Sequence, residues 1–211
     1  KDIWIQPAAG DAGGAVGAAL FVWHEILGMP REANGKQDAM QGCFLGPEFA
    51  DKQIAEFLNA REIPYERIES SAWASRVAGL VASDNVVGLF HGRMEFGPRG
   101  LGNRSIVGDA RSPKMKSLIN VKVKNHESYR ALSAACMEER IGDYFCLDRA
   151  PPYKLLYAPI RKEHRCGYDK GDNDLDFDGW EMRSLSDLPA ITDADFSTHI
   201  QSVNRQTNPR F

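Results

Sequence analysis

A run of five apolar residues, Val86 to Phe90, feeds directly into HGRMEFGPRGLGNRSIVGDAR, residues 91–111, which holds five glycines and four arginines. The run is too short for a buried helix and suits a strand. A strand cannot persist into so many glycines, which lose backbone entropy and offer no side chain to pack. The chain must therefore turn there. Glycine permits unusual backbone angles and close approach to a ligand, while each guanidinium is a planar fork matched to phosphate or carboxylate oxygens. Two readings follow: an anion site, or a solvated loop whose arginines pair with local acids such as Glu95 and Asp109.

The charge distribution bears on that choice. The 211-residue chain has a net charge of −3, which argues against a general nucleic-acid binder. Between Arg93 and Arg130, however, nine basic residues face three acids, so this stretch is +6 and the remainder −9. Lys122 and Lys124 flank Val123; on an extended chain both would point to one face, where two ammonium groups would share an anion or guard a strand edge.

The length suits one sizeable domain, or one plus a fragment of another. With 43% hydrophobic and 26% charged residues, the composition is that of an ordinary globular protein. No apolar stretch approaches a membrane span, and the first residues lack a signal peptide's apolar centre. Cys43, Cys136, Cys146 and Cys166 stand far apart with no C-x-x-C pair, which suggests free thiols in a reducing cytoplasm.

Along the chain, a short strand is expected over Ile3–Gln6, then a glycine turn and a helix from about Gly13 to Leu27 that Gly28-Met29-Pro30 would stop. Residues 31–42 read as a connector, with a boundary near Gly46-Pro47. Phe49, Ile54, Phe57 and Leu58 recur at helical spacing. A strand at Tyr65–Ile68, a helix at Ser71–Ser83 and the strand Val86–Phe90 follow. Further on, a helix is expected over Pro113–Val121, an extended or looped piece after it, and a helix over Cys136–Phe145. YKLLYAPI, residues 153–160, reads as a strand, and residues 188–203 as strands on both sides of a polar turn. Alternating helices and strands make the fold α/β or α+β.

Several familiar motifs are approached and missed. Gly97 and Gly102 have Walker-loop spacing, but Asn103-Arg104 replaces Lys-Ser/Thr. Gly100-Leu101-Gly102 opens a dinucleotide fingerprint, yet Ser105 stands at its last glycine. Asp174, Asp176, Asp178 and Gly179 resemble the start of a calcium loop, whose twelfth position is Leu185 rather than Glu. The five histidines show no metal-ligand or triad spacing. Near the start, glycines around Asp11 would allow either close ligand approach, with helix N–H groups meeting anionic oxygens, or tight packing of the helix.

Three segments, IQPAAGDAGGAVGAAL (5–20), GRMEFGPRGLGNRSIVGDAR (92–111) with NVKVKNHESYR (120–130), and LPAITDADFSTHIQSVNRQTNPRF (188–211), resemble the C-terminal part of the O-carbamoyltransferases. That family includes nodulation-factor enzymes and those decorating antibiotics such as tobramycin and cephamycin. The resemblance implies that residues 1–45 are the end of a first, ASKHA-like carbamoyl-transfer domain plus a connector. Residues 46–211 would then be a YrdC-like domain, a twisted mixed sheet with flanking helices. It also implies that the YrdC-like domain activates carbamoyl phosphate with ATP as carbamoyl adenylate, and that the first domain passes the carbamoyl group to a hydroxyl acceptor.

The resemblance assigns Arg93, Arg99, Arg104, Lys124 and Arg130 to catalysis. It places Glu95, Gly97, Asn103, Ser105, Lys122, Asp195, Ser197, Gly13 and Gly14 at the substrates or nucleotide, and Asp11 at an iron whose histidine ligands are expected upstream; this chain alone is expected to hold no iron. Mg²⁺ would accompany ATP. Expected partners are small-molecule substrates and the first domain, with neither membrane nor nucleic acid. The chain departs from the family pattern at Gly100 (usually Ala), His126 and His199 (both usually Arg), Asp193 (usually His) and Phe196 (usually Gly), and RALSA at 130–134 replaces R-P-F-A-P. Histidine is mostly neutral at pH 7, so these replacements weaken anion binding. Two other readings therefore stay open: an RNA-binding YrdC-like module, for which Phe96 and Tyr129 are the only stacking aromatics in the basic stretch, and a degenerate domain with a structural role.

Overall fold

A computed structural model describes residues 5–32, 35, 38–167 and 183–211. It is a mixed α/β protein with two small sheets and a few helices. The chain divides into two compact units: residues 1–66 with 90–104, and residues 67–89 with 105–211.

In the first unit, helix α1 (Asp11–Phe21) continues through a wider helical turn over Val22–Ile26. Gly28, at a φ of 63°, ends it where the sequence predicts a stop. Helix α2 (Asp51–Ala60) realises the helical spacing of Ile54 and Phe57, yet both side chains remain exposed. The buried apolar residues of this unit are few, among them Ala8, Met40, Cys43 and Leu101. The strand expected at Ile3–Gln6 lies largely outside the described residues, and none forms at Tyr65–Ile68, which is irregular and mostly polar.

The second unit has the larger apolar core. Helix α3 (Trp73–Ala82) matches its expected span. Strand β1 (Val87–Phe90) pairs with β2 (Arg104–Val107) in a two-stranded sheet. A short helix α4 (Met115–Ser117) runs into a wider turn, Leu118–Lys124, that stops on Asn125 at a φ of 53°. The other sheet has β5 (Ser197–Val203) at its centre, parallel to β3 (Ala134–Met137) and antiparallel to β4 (Leu156–Pro159). Alternation along β5 sends Thr198, Ile200 and Ser202 inward. Ile200 joins Ala134, Ala158, Ile160, Ile141, Phe145 and Ile191 in the core. Met115, Ile119 and Ala190 form a second cluster.

Three expectations are corrected. The helix expected over Cys136–Phe145 is instead the end of β3, a 3-10 turn at Glu138–Arg140 and the four-residue helix α5 (Ile141–Tyr144). Pairing of Ala134 to Met137 with Ile200 to Val203 overrides the local helical spacing. The first half of 188–203 forms turns rather than a strand, because Thr192 Oγ1 bonds back to the Leu188 carbonyl at 2.7 Å and closes the chain locally. Lys122 and Lys124 are helical, not extended; residues two apart on a helix do not share a face, so no paired-lysine edge forms. The aspartate-rich stretch 172–178 lies outside the described residues.

Candidate functional site

The sequence-predicted residues fall into both units. Asp11, Gly13, Gly14, Arg93, Glu95, Gly97, Arg99, Asn103 and Arg104 belong to the first; Ser105, Lys122, Lys124, Arg130, Asp195 and Ser197 to the second.

In the first unit, the glycine-arginine segment is built around Glu95, which is only 4% exposed. Its Oε1 accepts backbone N–H groups from Leu101 at 2.6 Å, Asn103 at 3.0 Å and Arg104 at 3.2 Å. The Asn103 amide donates to the Arg93 carbonyl at 2.7 Å, and the Asn103 carbonyl accepts the His91 N–H at 2.9 Å. Gly97 and Gly102 take φ values of 119° and 116°, which L side chains rarely adopt, so both glycines are required by the turn itself. The arginines stay outside this scaffold: Arg93 and Arg104 are exposed, Arg99 half-buried. Arg93 reaches the Leu45 carbonyl at 3.5 Å.

Pairing with nearby acids does not consume these arginines. Glu95 is taken up by backbone N–H groups, and Asp109 pairs with Arg111 at 2.7 Å. That hydrogen-bonded guanidinium holds the Asp109 carboxyl below the usual carboxylate range. Arg99 and Arg104 form no ion pair among the described residues. The turn therefore leaves planar cationic forks available for an external anion.

At the start of α1, Gly13 is a packing requirement: a Cβ there would lie 2.5 Å from the Ala8 carbonyl oxygen. Gly14 has open space around it. Asp11 is exposed in the first helical turn. No three His, Cys, Asp or Glu side chains converge to hold a metal among the described residues. The Cys43 thiol is buried, and that burial pushes its pKa up to about 11, making it a poor nucleophile.

In the second unit, Lys122, Lys124 and Arg130 are exposed, and Arg130 pairs with Glu127 at 2.8 Å. Asn120, 2% exposed, was not among the candidate residues, and nothing distinguishes it in the sequence from its helical neighbours. Its Nδ2 donates to the Arg130 carbonyl at 2.7 Å and the Ser128 carbonyl at 3.4 Å, fixing the end of the basic stretch.

Asp195 and Ser197 border a cavity of about 350 Å³ together with Asp193, Tyr157, Ala158 and Pro159. Asp195 Oδ1 accepts the Ser197 hydroxyl at 2.6 Å and its N–H at 2.9 Å, and these bonds hold the Asp195 carboxyl below its ordinary pKa. The Ser197 hydroxyl is thus engaged by a local partner two residues away. The His199 ring packs against Tyr157 with centroids 3.7 Å apart and planes tilted by 35°. Phe196 takes a φ of 63°, a conformation glycine adopts without strain, and the Arg165 guanidinium lies 5.0 Å over its ring.

Comparison with known proteins supplies the family. Residues 78–211 match the model described as carbamoyltransferase C-terminus. The chain is 46% identical to the uncharacterised protein sll1178 of Synechocystis sp. over 215 residues, covering 100% of this chain and 34% of that protein. It is 36% identical to nodulation protein NolO of Bradyrhizobium diazoefficiens, covering 100% of the chain and 34% of NolO. It is 25% identical to the 3'-hydroxymethylcephem-O-carbamoyltransferase of Streptomyces clavuligerus, covering 99% of the chain and 33% of that enzyme. The chain spans about a third of the length of these relatives. With the family model matching well over half of its residues, the chain belongs to the carbamoyltransferase C-terminal family.

Proposed function

We propose that this chain is the part of an O-carbamoyltransferase that forms carbamoyl adenylate from carbamoyl phosphate and ATP. The carbamoyl group then passes to a hydroxyl of a small-molecule or oligosaccharide acceptor, a nodulation factor being one such acceptor. The observation that carries the reading is the Glu95-centred turn, which leaves Arg99 and Arg104 without ion-pair partners among the described residues in a chain of this family.

The chemistry fits such a turn. Carbamoyl phosphate loses phosphate to water, leaving carbamate; a carbamate oxygen attacks the α-phosphorus of ATP, and pyrophosphate departs. Each step gathers negative charge, which preorganised guanidinium groups stabilise. Arg93, Arg99 and Arg104 would bind and orient phosphate oxygens; the family resemblance gives Lys122, Lys124 and Arg130 a role toward the same substrates. Mg²⁺ would accompany ATP. On this reading residues 46–211 form a YrdC-like domain and residues 1–45 close an ASKHA-like domain. Asp11 would there contribute a single ligand to an iron held mainly by residues outside the chain. A cytoplasmic setting suits the substrates.

The test is carbamoyl-phosphate-dependent exchange of labelled pyrophosphate into ATP by the intact protein. Exchange is expected in the wild type, and Arg104→Ala should lower it by about 10²-fold or more. An intact wild-type protein that binds ATP yet shows no such exchange would overturn the reading.

A further inference from the structure

We propose that Glu95 is a positioning residue: its buried carboxylate fixes the backbone from Arg99 to Arg104 so that the guanidinium groups are presented to an anion it does not itself touch. The identity of that anion rests on the carbamoyl phosphate and ATP reading; the positioning role does not. A carboxylate in an arginine-rich ligand turn would ordinarily be expected to grip a metal, a ribose hydroxyl or a proton of the substrate. Burial speaks against all three, since Glu95 is 4% exposed.

The hydrogen bonds show what the group does instead. Three N–H dipoles converge on Oε1 from Leu101, Asn103 and Arg104, on both sides of Gly102. Bonds from backbone N–H to an ionised carboxylate are among the stronger ones a turn can have. One of the three comes from Arg104 itself. Asn103, anchored by the same oxygen, donates to the Arg93 carbonyl, so one carboxylate sets the backbone at two of the arginines. Leu101, 2% exposed, locks the same stretch from its apolar side. Oε2 is enclosed and makes no hydrogen bond among the described residues. One oxygen thus serves the turn's own N–H groups, and the enclosed second oxygen offers no open surface to a ligand.

Removing the acceptor would leave three N–H groups competing for other partners and let the turn rearrange, and the arginine forks would lose their preset geometry. Misplacement of binding groups by a fraction of a turn costs affinity and rate even when no contacting residue has changed.

The experiment compares Glu95→Ala and Glu95→Gln with the wild type in the intact protein. It reads amide hydrogen exchange at Leu101, Asn103 and Arg104, affinity for inorganic pyrophosphate, and the KM, kcat and pH profile of pyrophosphate exchange. Glu95→Ala should accelerate exchange at those three amides and weaken pyrophosphate binding by about tenfold or more. KM for carbamoyl phosphate should rise more than kcat falls. Glu95→Gln keeps one acceptor oxygen, so it should fall between alanine and the wild type, with the shape of the pH profile retained; it carries the test alone should the alanine variant not fold. Unchanged amide exchange in both variants would overturn the proposal. So would a Glu95→Gln protein that loses kcat with KM intact or loses a limb of the pH profile, either of which would make Glu95 a chemical participant. If the wild type shows no carbamoyl-phosphate-dependent exchange, the functional reading fails, while amide exchange and pyrophosphate binding still decide the role of Glu95.

Discussion

The turn from Arg93 to Arg104 and the stretch from Leu118 to Arg130 both carry cations, and the protein holds them by opposite means. The first is organised by a buried acceptor, the Glu95 carboxylate, which gathers N–H groups. The second is organised by a buried donor, the Asn120 amide, which gathers the carbonyls of Ser128 and Arg130. The difference follows from backbone shape. Around Gly102 the chain turns its N–H groups inward; past the left-handed Asn125, carbonyls point in. In each case a single enclosed polar group substitutes for the ladder that a helix or strand would provide, as buried backbone groups require. Charge adds a further distinction, because bonds to a carboxylate are stronger than those from a neutral amide.

Substitutions can break this comparison in graded steps. The largest local destabilisation should come from Glu95→Ala: three N–H groups, two of them buried, lose their acceptor, at about 1–3 kcal/mol for each buried group left unsatisfied. Native-state hydrogen exchange on the intact protein would register a loss of about 3 kcal/mol or more in the 99–104 turn. Asn120→Ala should cost less, about 1–3 kcal/mol, confined to residues 126–130. Equal losses at the two anchors would mean that the charge of Glu95 adds nothing.

Gly97→Ala probes the first turn without touching its anchor. The left-handed φ of 119° and an approach of 3.3 Å to the Ala8 Cβ should together cost about 1–2 kcal/mol, visible in the same exchange experiment. Glu127→Gln removes only the exposed Arg130 ion pair, and a change under about 0.5 kcal/mol is expected. A larger value would show that the second segment depends on charge as the first does.

Acidity sharpens the contrast from within the second unit. His164 Nδ1 lies 2.7 Å from Asp187 Oδ2, and its Nε2 lies 3.2 Å from the Asp143 carbonyl, so the imidazolium form satisfies both acceptors. The Asp187 hydrogen bond raises the His164 pKa above its ordinary 6.5. A raised pKa means the stabilisation is complete below pH 6.5 and is lost as pH climbs through the folded-state value. Exchange at the Asp187 amide, which bonds to the His164 carbonyl, should quicken over that range. His164→Gln should flatten the response.

How far the sequence carried the reading differs by region. Helices α1, α2 and α3 and strands β1, β4 and β5 were legible because their apolar spacing or their flanking turn residues are local signals. The interval from Lys122 to Phe145 was not, since whether Ala134–Met137 is strand or helix depends on β5, more than sixty residues away. The glycines at 92–104 announce a turn, while residue type alone leaves its arginines open to an anion site or a solvated loop. Glu95 stood out for its charge, but its direction was invisible: a glutamate among arginines reads as a salt bridge until burial shows otherwise.

By itself, then, the sequence determined the composition of the candidate site, the family and most of the regular elements, because these depend on residue type and short-range spacing. Only the tertiary structure decided which polar groups face inward. Gly13 became a packing requirement, and Asn120 emerged from an unremarkable helical turn as an anchor. The physical reason is that a polar side chain has the same chemistry in solvent and in the interior; its role is set by which backbone groups the fold brings within hydrogen-bonding distance.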